Sequence, residues 1–379
     1  MKIAIVSQSY YPRFGGVTEH VHHTAQELRR RGHEVWIITS HFRGTPHPSE
    51  FVHRIGYNIL VPFNRAFVDF TVGLTLKQEL REVFVKHDFD IVHTHCPFAP
   101  SLPVLAILAA QGPQVGTFHF TGGVGVLQDL FRGILIQVSD KLDARIAVSP
   151  TAATTAQAVV PGEYRVIPNG VDIERFTPAL APFDEWRDPD KVNLLFVGRL
   201  DPRKGLQLLI EAMPEVVSRT RGRARLLVIG DSYLRARFEA SIPSAVRDHV
   251  CFLGHVPRED LPRWYRTGDI FVSPASGNES FGIVLLEAMA SGCPVVASAI
   301  EGYRSVVQPD VNGLMFEPGN VPALANTLVS LVDDPERRRL LSARGRARAM
   351  EFAWPPVTDQ IETLYREIIA RRSTVHSAA

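Results

Sequence analysis

Glu279 and Glu287 lie either side of an apolar run in the segment 278–298, NESFGIVLLEAMASGCPVVAS. A carboxylate set among Ile283, Val284, Leu285, Leu286, Ala288 and Met289 is costly to bury unless hydrogen-bond donors meet it. Ribose hydroxyls are such donors, as in other nucleotide sites where an acid binds ribose. Ser280 is a candidate N-cap for the helix that follows. With that start, the N–H groups of Phe281, Gly282 and Ile283 point outward, where a phosphate or sugar hydroxyl accepts from them. Gly282 removes a side chain that would block the approach, and Glu287 lies two turns in. The plainer alternative is that Glu287 is a partly exposed helix position.

Two further loops carry residues of the right kind. FVGRLDPRKG, 196–205, places Arg199 just past a strand and Lys204 five residues on. Two such cations can hold a diphosphate, the guanidinium as a planar fork and the ammonium as a point charge. Arg203 reads as a solvated charge. In SYYPRFGGVTEH, 9–20, Gly15 and Gly16 permit positive φ and close approach of a ligand to the backbone, and the helix start beyond them favours an anion. An ordinary glycine turn is the alternative, and the spacing is not that of a dinucleotide fingerprint. His119 ends the strand VGTFH, where a histidine is more often structural than reactive. His93 and His95 in IVHTHCP read as structural or cleft-lining, because a metal site needs a third ligand. His20, His22 and His23 read as helix-surface or packing residues.

These loops need strands to hold them. KIAIVSQ, EVWIITS, DIVHTH, QVGTFH and ARIAVS are short apolar runs separated by helical periodicity, such as Val17, Val21, Ala25 and Leu28 on one stripe. Turn residues Pro168, Asn169 and Gly170 break the pattern, and a Pro- and Asp-rich loop runs to about residue 190. A second series follows: VNLLFVGR, ARLLVIG, HVCFLG, IFVSP and PVVAS. The expected fold class is α/β, with two doubly wound, Rossmann-like domains, each a parallel sheet covered on both faces. Ligands in such sheets bind at the carboxyl ends of the strands, which for two facing sheets means the cleft between domains. EFAWPPVTDQIETLYREIIARR reads as a helix after a Trp-Pro-Pro break, and sequence order gives it to the second domain.

Bulk properties fit this. The 379 residues are enough for about two domains. A net charge of +1 provides no field to attract nucleic acid. Three scattered cysteines suggest neither disulfides nor a metal site. The chain opens on a strand rather than a charged-then-apolar leader, and no apolar run is long enough to span a bilayer. The reading is cytoplasmic, with peripheral contact at the inner face of the cell membrane left open.

The spacing E-SFGIVLLE resembles the retaining nucleotide-sugar glycosyltransferases of family GT4, which have the GT-B fold. GGVTEH, GTFH, IPNGVD, GRLDPRKG, GDIFVSP and GCPVVAS match the same family in order, over essentially the whole chain. The resemblance implies an acceptor-side domain over 1–168 and a donor domain over 169–354, with the final helix, 355–373, crossing back to the first. It implies that Arg199 and Lys204 neutralise the diphosphate, that Glu279 contacts the donor sugar, that Glu287 holds the ribose, and that His119 lies by the transferred sugar. It further implies donor contacts from the Gly15–Gly16 backbone, from 280–283 and, in the nucleobase region, from Val256. The best-fitting donor is GDP-mannose and the acceptor a phosphatidylinositol-like lipid. No Asp-x-Asp metal motif is evident, so no metal or cofactor is expected.

Mannosyltransferase members of the family carry glutamine where Thr18 stands, and their basic loop is one residue longer. Arg258 and Leu261 replace the acid and lysine expected for guanine. Helix 76–88, LKQELREVFVKHD, mixes Glu79 and Glu82 with its cations, which weakens the case for a membrane-docking surface. A UDP-glucose or UDP-N-acetylglucosamine enzyme is therefore an alternative. A sugar-nucleotide epimerase and a catalytically silent nucleotide-sugar binder are alternatives of other classes. SQSYYPRF (7–14), Asn64–Arg65 and FTGGVGVLQ (120–128) read as acceptor-side segments.

Overall fold

The computed structural model describes residues 1–42, 50–63, 66–122 and 131–377. The chain divides into two compact units, Met1–Asn169 with Trp354–Ala379, and Gly170–Ala353.

Unit 2, Gly170–Ala353, is a six-stranded parallel sheet. Its strands are β9 (Val192–Val197), β10 (Ala224–Ile229), β11 (Val250–Gly254), β12 (Ile270–Ser273), β13 (Val295–Ser298) and β14 (Leu314–Phe316). Their order is β11-β10-β9-β12-β13-β14. Strand order therefore reverses between β9 and β12, and the loops leaving their carboxyl ends diverge and open a crevice. The apolar run VNLLFV is buried on both faces. Leu194 and Phe196 pack on Leu206, Leu209, Ile210 and Met213 of helix Leu206–Arg219. Leu195 faces the other way, toward Tyr265, Phe271, Phe281 and Leu285. Continuous apolar runs are what a sheet covered on both sides demands, and each fully buried side chain contributes ~1.5–3 kcal/mol.

Unit 1 carries an eight-stranded sheet of order β4-β3-β2-β1-β5-β6-β7-β8. The strands are β1 (Lys2–Val6), β2 (Glu34–His41), β3 (Val52–Phe63), β4 (Ala66–Val72), β5 (Ile91–His95), β6 (Gln114–Phe118), β7 (Ala144–Ala147) and β8 (Arg165–Val166). Here the order reverses between β1 and β5. Ile3 and Ile5 pack on Val21, Ala25 and Leu28 of helix Gly16–Arg30, whereas Ala4 and Val6 pack on Leu76, Leu80, Leu102 and Ala106.

The structure adds three features to the sequence reading. β3 and β4 form an antiparallel edge hairpin with Tyr57 opposite Val72, and the short strands β8 and β14 complete the two sheets. The final helix begins at Trp354, so Pro355 and Pro356 sit in its first turn rather than before it. Proline is tolerated there because those N–H groups have no intrahelical acceptor. This helix lies in unit 1, not in unit 2 as sequence order suggests. Its Val357, Ile361, Leu364, Tyr365 and Ile368 join the cluster around Ile3 and Ile5. Arg31–Glu362 (3.0 Å), Arg165–Glu367 (2.8 Å) and Arg372–Asp143 (2.8 Å) tie it down. Asn64–Arg65 lie outside the described residues, and of 120–128 only 120–122 are described.

Candidate donor and histidine sites

In unit 2 the candidate residues collect at the switch point. After β9 the chain turns through Gly198 and the exposed Arg199 into Asp201, whose carboxylate accepts from Arg203 N at 2.9 Å and pairs with the Arg203 guanidinium at 2.8 Å. That hydrogen-bonded guanidinium holds the Asp201 carboxyl below the usual range. Arg203 is thus consumed within its own loop. The Arg199 guanidinium has no hydrogen-bond or ion-pair partner among the described residues.

Gly205, at φ 75°, lets this loop press against the next one. A Cβ there would lie 1.8 Å from the Pro274 carbonyl oxygen. Ser276 N donates to Arg203 O at 2.9 Å across the same seam. The contact brings Lys204 Nζ to 2.7 Å from Glu279 Oε1, with both side chains about one-fifth exposed (22% and 18%). Two residues 75 positions apart in sequence thereby form one ion pair beside the open Arg199.

The helix after Glu279 starts later than expected. It spans Ile283–Ala290, and its N-cap is Gly282 in the left-handed region (φ 94°, ψ 55°) with no side-chain cap, so Ser280 is not the cap. An L side chain is strained at that φ, whereas glycine is not. Glu287 is consequently one turn into the helix, not two. Phe281 is 2% exposed, and its ring meets Phe352 edge-on at 5.7 Å, so its side chain is core. No backbone N–H from Glu279 to Val284 has an acceptor among the described residues. These donors remain suited to an anion, as the sequence suggests, although the turn rather than a regular first helical turn supplies several of them.

Glu287 is half-buried and accepts from Tyr265 Oη at 2.8 Å. Burial and then the Glu287 charge push the Tyr265 phenol well above its ordinary pKa, so it stays a donor. The donor that the carboxylate needs thus comes in part from the protein itself. Val256 and Leu261 are partly buried against the same core. The Arg258 carbonyl accepts from Arg175 Nη2 at 2.6 Å.

In unit 1 the glycine pair differs from expectation. Gly15 is extended (φ 168°, ψ 165°) and Gly16 opens the helix, so neither needs positive φ. Openness does hold: a Cβ on Gly15 would meet nothing within 4 Å, and the helix has no side-chain cap. Thr18, in the place of the family's glutamine, turns inward and donates to Arg13 O at 2.9 Å. In the 7–14 segment, Ser9 and Arg13 both bond Asp69 of β4.

The larger surprise is a cluster of imidazoles at the carboxyl ends of β5 and β6. His95 Nδ1 lies 2.9 Å from His119 Nε2. His93 bonds Tyr365 Oη at 2.5 Å and Thr117 Oγ1 at 2.6 Å. His20, buried on helix Gly16–Arg30, bonds Asn169 Oδ1 at 2.9 Å, and its ring meets those of His95, His119 and Trp354 edge-on. Burial lowers the pKa of His20 to about 4 and of His93 to about 3, and pushes His95 and His119 well below the ordinary value. The rings are neutral at physiological pH. Among the described residues no group of three His, Cys, Asp or Glu is placed to hold a metal ion. Two Asp-x-Asp spacings do occur, but Asp90 accepts from Lys2 N and Asp188 from Asp190 N, both ahead of strands and away from these loops.

Solved structures share this fold. A sucrose-phosphate synthase from Thermosynechococcus elongatus superposes with a TM-score of 0.74 at 23% identity, over 98% of this chain and 99% of that one. A glycosyltransferase from Rickettsia africae gives 0.75 at 18%, over 97% and 98%. The fold is therefore GT-B, with two parallel-sheet units. The description "Glycosyltransferase Family 4" matches residues 14–175 and "Glycosyl transferases group 1" matches 181–348. A phosphatidyl-myo-inositol mannosyltransferase of Mycobacterium tuberculosis is 33% identical over 100% of both chains, and that of Mycolicibacterium smegmatis 32% over 97% of this chain and 94% of its own. A GDP-mannose-dependent alpha-(1-6)-phosphatidylinositol monomannoside mannosyltransferase of M. tuberculosis is 27% identical over 91% and 92%. The chain belongs to the family 4 glycosyltransferases, and it is a glycosyltransferase rather than an epimerase or a silent binder.

Proposed function

We propose that this glycosyltransferase moves mannose from GDP-mannose to a hydroxyl of a phosphatidylinositol-like lipid, with retention of configuration. The observation that carries the site reading is the 2.7 Å Lys204–Glu279 pair, formed where two motif loops meet at the unit 2 switch point. The donor and acceptor rest on full-length similarity to the mannosyltransferases named above.

In this reading the diphosphate lies against Arg199, Lys204 and the unpaired N–H groups of 279–284. Fixed positive charge aimed at a leaving group stabilises the transition state more than the ground state. Glu279 orients Lys204 and accepts from the donor sugar. Glu287, steadied by Tyr265, accepts from the ribose. Val256 lies by the base. In unit 1, the uncapped helix start at Gly15 and Gly16 takes donor phosphate, and His119 contacts the transferred sugar. The bond from the anomeric carbon to the diphosphate breaks, the acceptor oxygen bonds that carbon from the same face, and its proton passes to the departing phosphate oxygen. Arg199 and Lys204 do the neutralising for which other transferases use a metal.

Peripheral contact with a lipid surface fits the hairpin, where Tyr57, Ile59 and Val61 share one face of β3 and are exposed. No helix of the described residues is long and apolar enough to cross a membrane.

A second reading, a UDP-sugar donor, is favoured by the nucleobase region, where Leu261 packs on the core and offers no charge to guanine. Calorimetry with GDP-mannose, UDP-glucose and UDP-N-acetylglucosamine separates the two. Preference for GDP-mannose is expected, and preference for a UDP-sugar would overturn the donor assignment. Co-sedimentation with phosphatidylinositol vesicles tests the lipid surface.

A further inference from the structure

We propose that His95 locks His119 as the neutral tautomer protonated on Nδ1, so that His119 meets the sugar as a hydrogen-bond donor and not as a base. The functional half of this rests on the reading of His119 as a sugar contact, whereas the tautomer follows from unit 1 alone.

The four rings pack closely: His93 on His95 at 4.4 Å between centroids, His95 on His119 at 5.2 Å, and His20 at 5.1 Å from His119. None of the four pairs with a carboxylate among the described residues, and burial disfavours the charged form of each. Each imidazole therefore has one N–H and one lone pair. The 2.9 Å contact between His95 Nδ1 and His119 Nε2 holds a single proton, and there are two ways to place it.

If the proton belongs to His119, then the proton of His95 must sit on its own Nε2. That atom is buried with no partner. The result is an orphaned buried N–H, the rarest kind of polar defect. If the proton belongs to His95 Nδ1, then His95 Nε2 is a bare lone pair and no donor is stranded. The cluster already holds a nitrogen of this kind: His20 gives its Nδ1 proton to Asn169 Oδ1, and its buried Nε2 has no partner. His93 cannot relieve His95, because both of its nitrogens are engaged, by Tyr365 and Thr117.

With His119 Nε2 accepting, its proton lies on Nδ1. That atom has no partner among the described residues, and the ring is only partly buried. His119 thus turns an N–H outward and keeps its lone pair inside. Such a group can hold a sugar hydroxyl oxygen but cannot take a proton from the acceptor, which leaves that proton to the departing phosphate. The tautomer of a histidine is set by the bond its other nitrogen makes, and here that bond comes from His95.

Nitrogen NMR of the full chain carrying labelled histidine, without ligand, tests this directly. The His119 signals are those that vanish in His119→Gln; if that variant does not fold, ring-to-backbone correlations in the unsubstituted chain assign them. The expected result is a protonated Nδ1 and a bare Nε2 on both His119 and His95. A proton on His119 Nε2 overturns the inference, whatever the activity. His95→Phe removes the lock, and with thermal melting confirming the fold, a mixed His119 tautomer and a fall in kcat of about tenfold are expected, with donor KM little changed. His95→Asn, whose amide can donate from nearly the same place, should restore most of that rate. If the tautomer is as stated but His119→Gln folds and keeps full activity, the sugar-contact reading fails and the tautomer stands.

Discussion

The two switch points treat polar groups in opposite ways. In unit 2, Arg199, Lys204 and Glu279 stay in part open to solvent, and an ion pair orders the last two. In unit 1, four imidazoles are packed ring on ring until burial has removed their charge, and only hydrogen bonds order them. One region is suited to oppose a negative charge that grows during a reaction. The other is suited to hold neutral hydroxyls without adding charge of its own. The same topological device can serve either purpose, and the side chains at the strand ends decide which.

The sharpest way to break this comparison is to discharge unit 2. Glu279→Gln and Lys204→Ala should each lower kcat by about 10²–10³ while the melting temperature barely moves, read by steady-state transfer assays. If either variant keeps wild-type turnover, the ion pair is a structural ornament of the loop. Next comes acid, which should act on unit 1. The folded pKa values of His20 (about 4) and His93 (about 3) lie below the unfolded value of 6.5. Below pH ~6.5 the unfolded chain binds protons that the folded chain refuses, so stability falls as pH drops, by up to ~1.4 kcal/mol per pH unit for each such ring. Melting curves at pH 8 and pH 5 should differ accordingly, and a Tm unchanged between them would contradict the neutral cluster.

Smaller effects sharpen the contrast within unit 2. Arg199→Ala should weaken donor diphosphate binding by about 1.5–3 kcal/mol in calorimetry. Tyr265→Phe, which removes the phenol donor from Glu287, should cost about 1 kcal/mol in nucleotide affinity. Arg203→Ala should change donor binding by less than about 0.5 kcal/mol, because Asp201 already holds that guanidinium. A large Arg203 effect would reverse the ranking of the three cations.

Unit 2 was the more legible in sequence. Gly198-Arg199 after an apolar run, Gly205 before the next helix, and the eight-residue step from Glu279 to Glu287 are local signals, and they fall on the strand ends that hold the site. The helix start was misplaced because Ser280 has the chemistry of a cap, whereas a left-handed Gly282, visible only in the backbone, ends the turn. Unit 1 hid its cluster because His20, His93, His95 and His119 come from three separate elements and meet only through tertiary packing. Each alone looks like a surface or strand-end histidine. The β3–β4 hairpin was missed because, among its described side chains, only Ile55 and Thr71 are buried, unlike the continuous buried runs of the central strands.

The last helix, Trp354–Ser377, has a bearing on how the molecule comes into being. Its stripe of Val357, Ile361 and Tyr365 fills the core around Ile3 and Ile5, and its Glu362 meets Arg31 and His33. The residues around Ile3 and Ile5 thus lack part of their core until Trp354–Ser377 has been made. Unit 2, a continuous segment, has no such debt and can fold while translation continues. A nascent chain stalled before Trp354 would hold one finished domain and one still waiting, with the faces of Ile3, Ile5 and Val21 left for chaperones to cover.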